Sequence, residues 1–179
     1  MSIRIYGNRE LKTLPGQQTR PTSSRVREAV FNILRSHLPD SHWLDLCAGS
    51  GAMGAEALCR GAQRVTGIEQ SGAACRIIQQ NWQKVARPDQ TFQVLRGDVR
   101  QQLRRVSAPV DIVYFDPPYA SGLYEPVLAA LAEHSMMGNA EIAVEYTPEH
   151  WTGQAIPGLQ HLRTKRYGAT QLSFFQASP

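Results

Sequence analysis

The chain has 179 residues, of which 42 % are hydrophobic and 19 % charged, with a net charge of +4. That length buries a full core in one domain, and no apolar run reaches the roughly 18 residues of a membrane span. Arg4, Asn8, Arg9 and Glu10 interrupt any leader-like start, and Cys47, Cys59 and Cys75 form no C-x-x-C pair. With five scattered histidines and no H-E-x-x-H spacing, the expectation is a reduced, cytoplasmic protein without metal, disulfide framework or membrane anchor.

The positive charge sits at the front. Residues 1–35 carry Arg4, Arg9, Lys12, Arg20, Arg25, Arg27 and Arg35 against Glu10 and Glu28, a net of 7 − 2 = +5. The other 144 residues carry 12 basic and 13 acidic side chains, a net of −1. Such a segment is either a solvated charged arm or the electrostatic footprint of a polyanion, nucleic acid foremost.

Taken in order, residues 1–20 hold short strand-like pieces such as Ile3-Arg4-Ile5-Tyr6, with Gly7-Asn8 and Pro15-Gly16 as turn signals. A helix is expected from a cap at Ser24 through "RVREAVFNILRSHL" to Pro39, with Val26, Val30, Ile33 and Leu34 at helical period. Arg27 stands where a capping box would have Glu or Gln. From residue 42 strands and helices alternate: "HWLDLC", the loop "AGSG", a helix "AMGAEALCRG", strand "RVTGIE", helix "GAACRIIQQNWQKVA". Strand "TFQVLRGD", helix "VRQQLRRV", strand "DIVYF", helix "GLYEPVLAALAEH" and strand "EIAVEYT" follow. "LQHLRTKRYGATQLSFFQ" reads as two strands about a turn at Tyr167-Gly168-Ala169. The alternation predicts an α/β fold with a mostly parallel sheet, helices on both faces and an antiparallel C-terminal hairpin.

"DLCAGSGAMG" places Gly49-x-Gly51-x-x-Gly54 after a strand, and Glu69 closes the next strand. A dinucleotide fits this pattern, with the acid on a ribose, and so does S-adenosylmethionine. Asp45 separates them: a carboxylate near the loop repels a pyrophosphate but suits a ligand that carries an ammonium and a sulfonium. Asp98, just past the third strand, is either an acceptor for an adenine amine or a helix N-cap.

"DPPY" follows the fourth strand, which should neighbour the first at the topological switch point. An exocyclic base amine is a poor nucleophile because its lone pair is delocalised into the ring. Two fixed acceptors, the Asp116 carboxylate and the Pro117 carbonyl, would localise that pair and aim it. The prolines hold the acceptors in place, and Tyr119 stacks on an extruded base.

In this order "DLCAGSGAMG", "GIE", "GDV" and "DPPY" resemble a class I S-adenosylmethionine-dependent amino-methyltransferase. "RIYGNRELKTLPGQQTRPTSSRVREAVFNIL", "EALCRGA" and "RYGATQLSFF" narrow the resemblance to the bacterial small-subunit (16S) rRNA guanine-N2 methyltransferases of the ribosomal small-subunit methyltransferase D type, over nearly the whole chain.

That family implies a Rossmann-like, seven-stranded sheet as residues 41–179, preceded by a basic hairpin and helix, residues 1–40, that contact RNA. It implies cofactor contacts from Asp45, Cys47, Ala48, Gly49, Gly51, Glu69, Gln70, Asp98 and Val99. The base would be met by Asp116, Pro117, Pro118 and Tyr119, and RNA by Arg4, Arg9, Lys12, Arg20, Arg25 and Arg27. The implied partner is small-subunit rRNA or an assembling 30S particle, and nothing in the sequence demands more than a monomer. Cys47 stands where the family has Phe, and Ser24 and Asn8 replace its usual Asp and basic stretch. Alternative readings are a DNA adenine-N6 methyltransferase, a dinucleotide oxidoreductase, and a non-catalytic RNA-binding assembly factor with a relict cofactor pocket.

Overall fold

The computed structural model describes residues 2–14 and 23–177. A hairpin of β1 (Ser2–Ile5) and β2 (Arg9–Lys12) opens it, turning through Gly7 and Asn8, both in the left-handed region. Helix α1 covers Ser24–Ile33. Its cap is Ser23, one residue earlier than expected, with the hydroxyl accepting from the Val26 N–H at 3.2 Å. The helix also ends earlier, at Ile33, and a single 3-10 turn, Arg35–His37, completes the descent to Pro39.

The remaining elements are β3 (His42–Leu46), α2 (Ala52–Cys59), β4 (Arg64–Glu69), α3 (Gly72–Val85), β5 (Thr91–Arg96), α4 (Val99–Leu103) and β6 (Ile112–Phe115). α5 (Tyr124–Glu133), β7 (Glu141–Tyr146), β8 (Leu159–Tyr167) and β9 (Thr170–Ala177) complete the chain. The sheet order is β5-β4-β3-β6-β7-β9-β8, parallel through β7 and antiparallel in the last two strands. The seven strands and their directions agree with the sequence reading.

β3, β6 and β7 are buried at every position, as a central parallel strand covered on both faces must be. Alternate residues divide between two cores. Trp43 and Tyr114 face α1, α2 and α3, while Leu44, Leu46, Val113 and Phe115 face α4 and α5. Ile5 and Leu11 of the hairpin and Val26, Val30, Phe31 and Leu34 of α1 lie in the same buried cluster as Trp43 and Trp82. The N-terminal segment is thus fused to one face of the sheet.

β4 and β5 lie on one side of β3 while β6 and β7 lie on the other, so the order reverses between β3 and β6. At such a reversal the loops leave in opposite directions, and a crevice opens at the carboxyl ends of the two strands.

Candidate active site

Four strand ends converge on that crevice: Cys47 to Gly51 after β3, Glu69 closing β4, Asp98 just past β5, and Asp116 directly after β6. Leu46 pairs with Phe115, which sets Cys47 beside Asp116. Four carboxylates surround the Cys47 sulfur. Burial and then Glu69, Asp116, Asp45 and Asp98 push its thiol far above the ordinary range, so it is a neutral, inert group.

The glycine loop is held from several sides. Cys47, Gly49 and Gly51 all have φ near +60° to +70° (60°, 58° and 72°). At Gly49 nothing lies within 4 Å of where a Cβ would be, so its bare face borders open space. Gly51 and Gly54 have another purpose. A Cβ at Gly51 would come 2.8 Å from the Trp82 indole nitrogen, and one at Gly54 would come 2.3 Å from its ring. Gly67 on β4 makes the same allowance, with 2.5 Å to that ring. Three glycines therefore make room for one tryptophan, whose Nε1 donates to the Gly51 carbonyl at 2.7 Å. The open face of the loop is that of Gly49, whereas the Gly51 side-chain position is filled by protein.

Asp45 is 2 % exposed and accepts from the Gly54 N–H at 3.0 Å, at the start of α2. Burial, opposed by that hydrogen bond and reinforced by the charge of Glu69, raises its carboxyl to about 8. Glu69 accepts from the Gly49 N–H at 2.9 Å and from the Ser71 N–H at 2.8 Å, which ties the loop to the end of β4 and fixes the carboxylate plane. Each oxygen retains a second lone pair for a hydroxyl donor.

Asp98 is the N-cap of α4. It accepts from the Arg100 N–H at 2.9 Å and grips the Arg100 guanidinium at 3.0 and 2.9 Å. The Arg100 hydrogen bonds lower its carboxyl to about 2. The local cap reading is thus correct for Asp98, beside its place at the crevice rim. Gln70 is exposed and Val99 buried, on the turns that follow Glu69 and Asp98.

After β6, Asp116 and Tyr119 are half-buried, Pro117 is buried and Pro118 is exposed. The turn closes with Ser121 N–H to Pro118 carbonyl at 3.2 Å and a left-handed Ala120, φ 58°. Beneath it lies Tyr124, whose phenol is pushed well above 10, by burial first and then by Asp116, Tyr119 and Glu145. Tyr124 lies flat on Trp151 (5.1 Å, 4°). That ring contact anchors the turn from Thr147 to Trp151, where Trp151 and His150 both donate N–H groups to the Thr147 carbonyl. The anchored turn carries the exposed His150 over Tyr119, rings 4.7 Å apart and 14° from parallel.

The basic residues divide. Arg4, Arg9, Lys12 and Arg25 are exposed, and Arg20 lies outside the described residues. Lys12 is brought to the crevice by Asn81 on α3, which accepts from the Lys12 N–H and donates to the carbonyls of Lys12 and Ser50, all at 2.9 Å. Arg27 must be struck from the RNA-facing set. It is 7 % exposed, donates to Glu56 at 2.6 Å and to the Arg4 carbonyl at 2.7 Å, and so locks α1 to α2 and to the hairpin. Glu56, itself buried, takes a second cation from Arg60 at 2.7 Å.

Asn81, Trp82, Glu56 and His150 were not picked out from sequence. Their partners lie 29 to 69 residues away and leave no local signal. Two cavities, ≈ 240 and ≈ 590 Å³, open at the opposite end of the sheet around His42 and Asp111. Among the described residues no group of His, Cys, Asp and Glu is arranged to hold a metal. Among the described residues no helix is long and apolar enough to cross a membrane.

The bare face of Gly49 leaves room for a ligand, and the fixed carboxylate at the end of β4 with the acids around it disfavours a pyrophosphate and suits a cationic nucleoside. With D-P-P-Y alongside at the switch point, the fold and site define a class I S-adenosylmethionine-dependent methyltransferase. The chain matches the family model described as "Conserved hypothetical protein 95" over residues 3–176. It is 34 % identical over 153 residues to the ribosomal RNA small subunit methyltransferase D of Escherichia coli, covering 83 % of this chain and 76 % of that protein. The Haemophilus influenzae protein of the same name is 32 % identical over 158 residues, covering 83 % and 82 %. The solved structure of the E. coli protein yhhF superposes with a TM-score of 0.83 at 32 % identity, covering 99 % and 98 % of the two chains. The chain belongs to the ribosomal RNA small subunit methyltransferase D family.

Proposed function

We propose that this chain methylates the exocyclic N2 amine of a guanine in small-subunit rRNA, acting as a monomer on an assembling 30S particle in the cytoplasm. The observation that carries the reading is Asp116, set by the β3–β6 pairing beside the glycine loop and its carboxylates. The names of the E. coli and H. influenzae relatives support rRNA as the substrate.

When bound, S-adenosylmethionine would supply an electrophilic methyl group, whose bond to the sulfonium breaks as the N–C bond forms and leaves a neutral thioether. Glu69 holds the ribose hydroxyls, the rim at Asp98, Val99 and Gln70 receives the adenine, and Asp45 with the loop from Cys47 to Gly51 meets the cationic end. Asp116 accepts one N–H of the target amine and the Pro117 carbonyl accepts the other, which localises the nitrogen lone pair and sets its direction. The prolines keep both acceptors in place before the base arrives. Tyr119 forms the stacking platform, with His150 on one of its faces. The amine needs no strong base before attack, since it loses its proton after the new N–C bond forms. Arg4, Arg9, Lys12, Arg20 and Arg25 contribute to phosphate binding along the N-terminal segment.

The test uses 30S particles from cells lacking this protein and a labelled methyl donor. Wild type should place label on one guanine as the N2-methyl base. Asp116→Ala should lose turnover while still binding the cofactor in calorimetry. Unchanged turnover in that variant, or label on DNA adenine instead of rRNA, overturns the reading.

A further inference from the structure

The charge asymmetry between the front of the chain and the rest hides a second one. From His150 to the C-terminus there is no Asp or Glu, and Arg163, Lys165 and Arg166 stand within four positions of one another. All three lie on β8, the outermost strand. Arg163 is spent on structure, paired with Glu141 and lying 4.5 Å over the Phe174 ring. Lys165 and Arg166 are exposed, and no ion pair among the described residues engages either. Arg166 donates its Nε to the Gly168 carbonyl at 3.1 Å, which pins the guanidinium.

The sheet register shows which end of the molecule they occupy. Val144 of β7 pairs with Phe115 of β6, so the next row sets Glu145 level with Asp116. Glu145 pairs with Leu172 and Leu172 with Lys165; Tyr146 pairs with Gln171 and Gln171 with Arg166. Lys165 and Arg166 therefore sit at the catalytic end of the sheet, three strands from Asp116, about 14 Å at ordinary strand spacing. Because neighbouring strand residues point to opposite faces, the two cations straddle the sheet edge. Lys165 shares the face of Leu172, which lies in the same buried cluster as α1, and the exposed Arg25 is in the first turn of α1.

We infer that the C-terminal end of β8 is a second RNA-binding surface, on which Lys165 and Arg166 hold the sugar-phosphate backbone flanking the target nucleotide. This inference rests on the rRNA reading above. About 14 Å is a span of only a few nucleotides, so the backbone flanking a base held at Asp116 is within reach of this edge. The N-terminal hairpin, on the same sheet face as Leu172, reaches the crevice through Asn81 and Ser50 in the loop after β3, on the opposite side of β6 from β8. The two basic surfaces then flank the site, and a strand gripped on both sides presents its extruded base to D-P-P-Y. Charged edges also serve to block strand-on-strand association, which is the competing account of these residues.

The experiment compares wild type, Lys165→Gln/Arg166→Gln and the charge-restoring Lys165→Arg/Arg166→Lys for binding to unmodified 30S particles across a potassium chloride series. Each phosphate contact contributes about 0.7 to 0.9 to the slope of log affinity against log salt. The Gln pair should flatten the slope by roughly 1.5 and weaken binding about tenfold or more at low salt. S-adenosylmethionine binding should stay unchanged, and the Arg/Lys exchange should restore the slope. A wild-type slope retained by the Gln pair overturns the surface while leaving the rRNA reading intact, and self-association of that variant without a slope change assigns the charges to edge protection. A wild type with no salt-dependent binding overturns the rRNA reading and this surface together.

Discussion

Asp45 offers the sharpest test of the cofactor chemistry, because its carboxyl, raised to about 8 by burial and by Glu69, must ionise to serve a cation. At pH 7 a group with that pKa is about 90 % protonated in the unliganded protein. A sulfonium or ammonium bound beside it favours the carboxylate, so binding should release about 0.9 proton and affinity should rise about sevenfold to eightfold per pH unit below pH 7.5. The rise should flatten above pH 8. The assay is calorimetry of S-adenosylmethionine binding in buffers of different ionisation enthalpy, with Asp45→Asn alongside. The ligand's own amine, which titrates at about 7.7 to 8, contributes to both proteins alike, so the difference between them isolates Asp45. The same shift fixes the sign of a stability effect. A carboxyl raised above its unfolded value of 3.8 contributes stability that is full below that value and lost as pH climbs through 8. Unliganded Asp45→Asn should therefore melt higher than wild type at pH 9 and closer to it at pH 5. Equal proton release by the two proteins, or equal pH profiles, would refute the placement of Asp45 beside the cation.

Other consequences follow from single contacts. Gly54→Ala drives a methyl group into the Trp82 ring, where 2.3 Å separates the atoms, and should cost about 1–3 kcal/mol in urea unfolding. Gly49→Ala meets no atom and should cost only about the 1–2 kcal/mol of its left-handed backbone, while cutting cofactor affinity. Arg27→Ala leaves the buried Glu56 to Arg60 alone and removes the donor to the Arg4 carbonyl, and should destabilise the fold by about 1–3 kcal/mol, with no change in the salt slope of RNA binding. His150→Ala removes one ring of the Tyr119 stack, worth about 0.5–1.5 kcal/mol. It should raise KM for the 30S particle about twofold to tenfold with cofactor affinity untouched, and His150→Phe should restore it.

The order of strands and helices was legible because each repeats a simple physical pattern. β3, β6 and β7 read as continuous apolar runs since both their faces are covered. α3 shows its helical period because only one side meets the sheet. Helix ends were less legible. α1 stops at Ile33, where apolar spacing alone would carry it to Leu38, because the chain must tighten into a 3-10 turn to bring Trp43 under Phe31 (5.0 Å, stacked). D-P-P-Y, the glycine loop and the acids at strand ends stood out since each needs its residue types consecutively on one turn.

What sequence alone determined, then, was the chemistry available at each strand end and the parallel frame that brings those ends together. What only the folded chain decided was how each group is used. Asp98 is a helix cap engaged by Arg100, Arg27 is a buried strut for Glu56, and Gly51 and Gly54 yield space to Trp82. His150 is carried to Tyr119 by a turn that Trp151 anchors against Tyr124. The reason is one of range. A local pattern records the preferences of a turn or a period, whereas burial, ion pairing and ring stacking join residues tens of positions apart, and those contacts exist only once the sheet has brought them together.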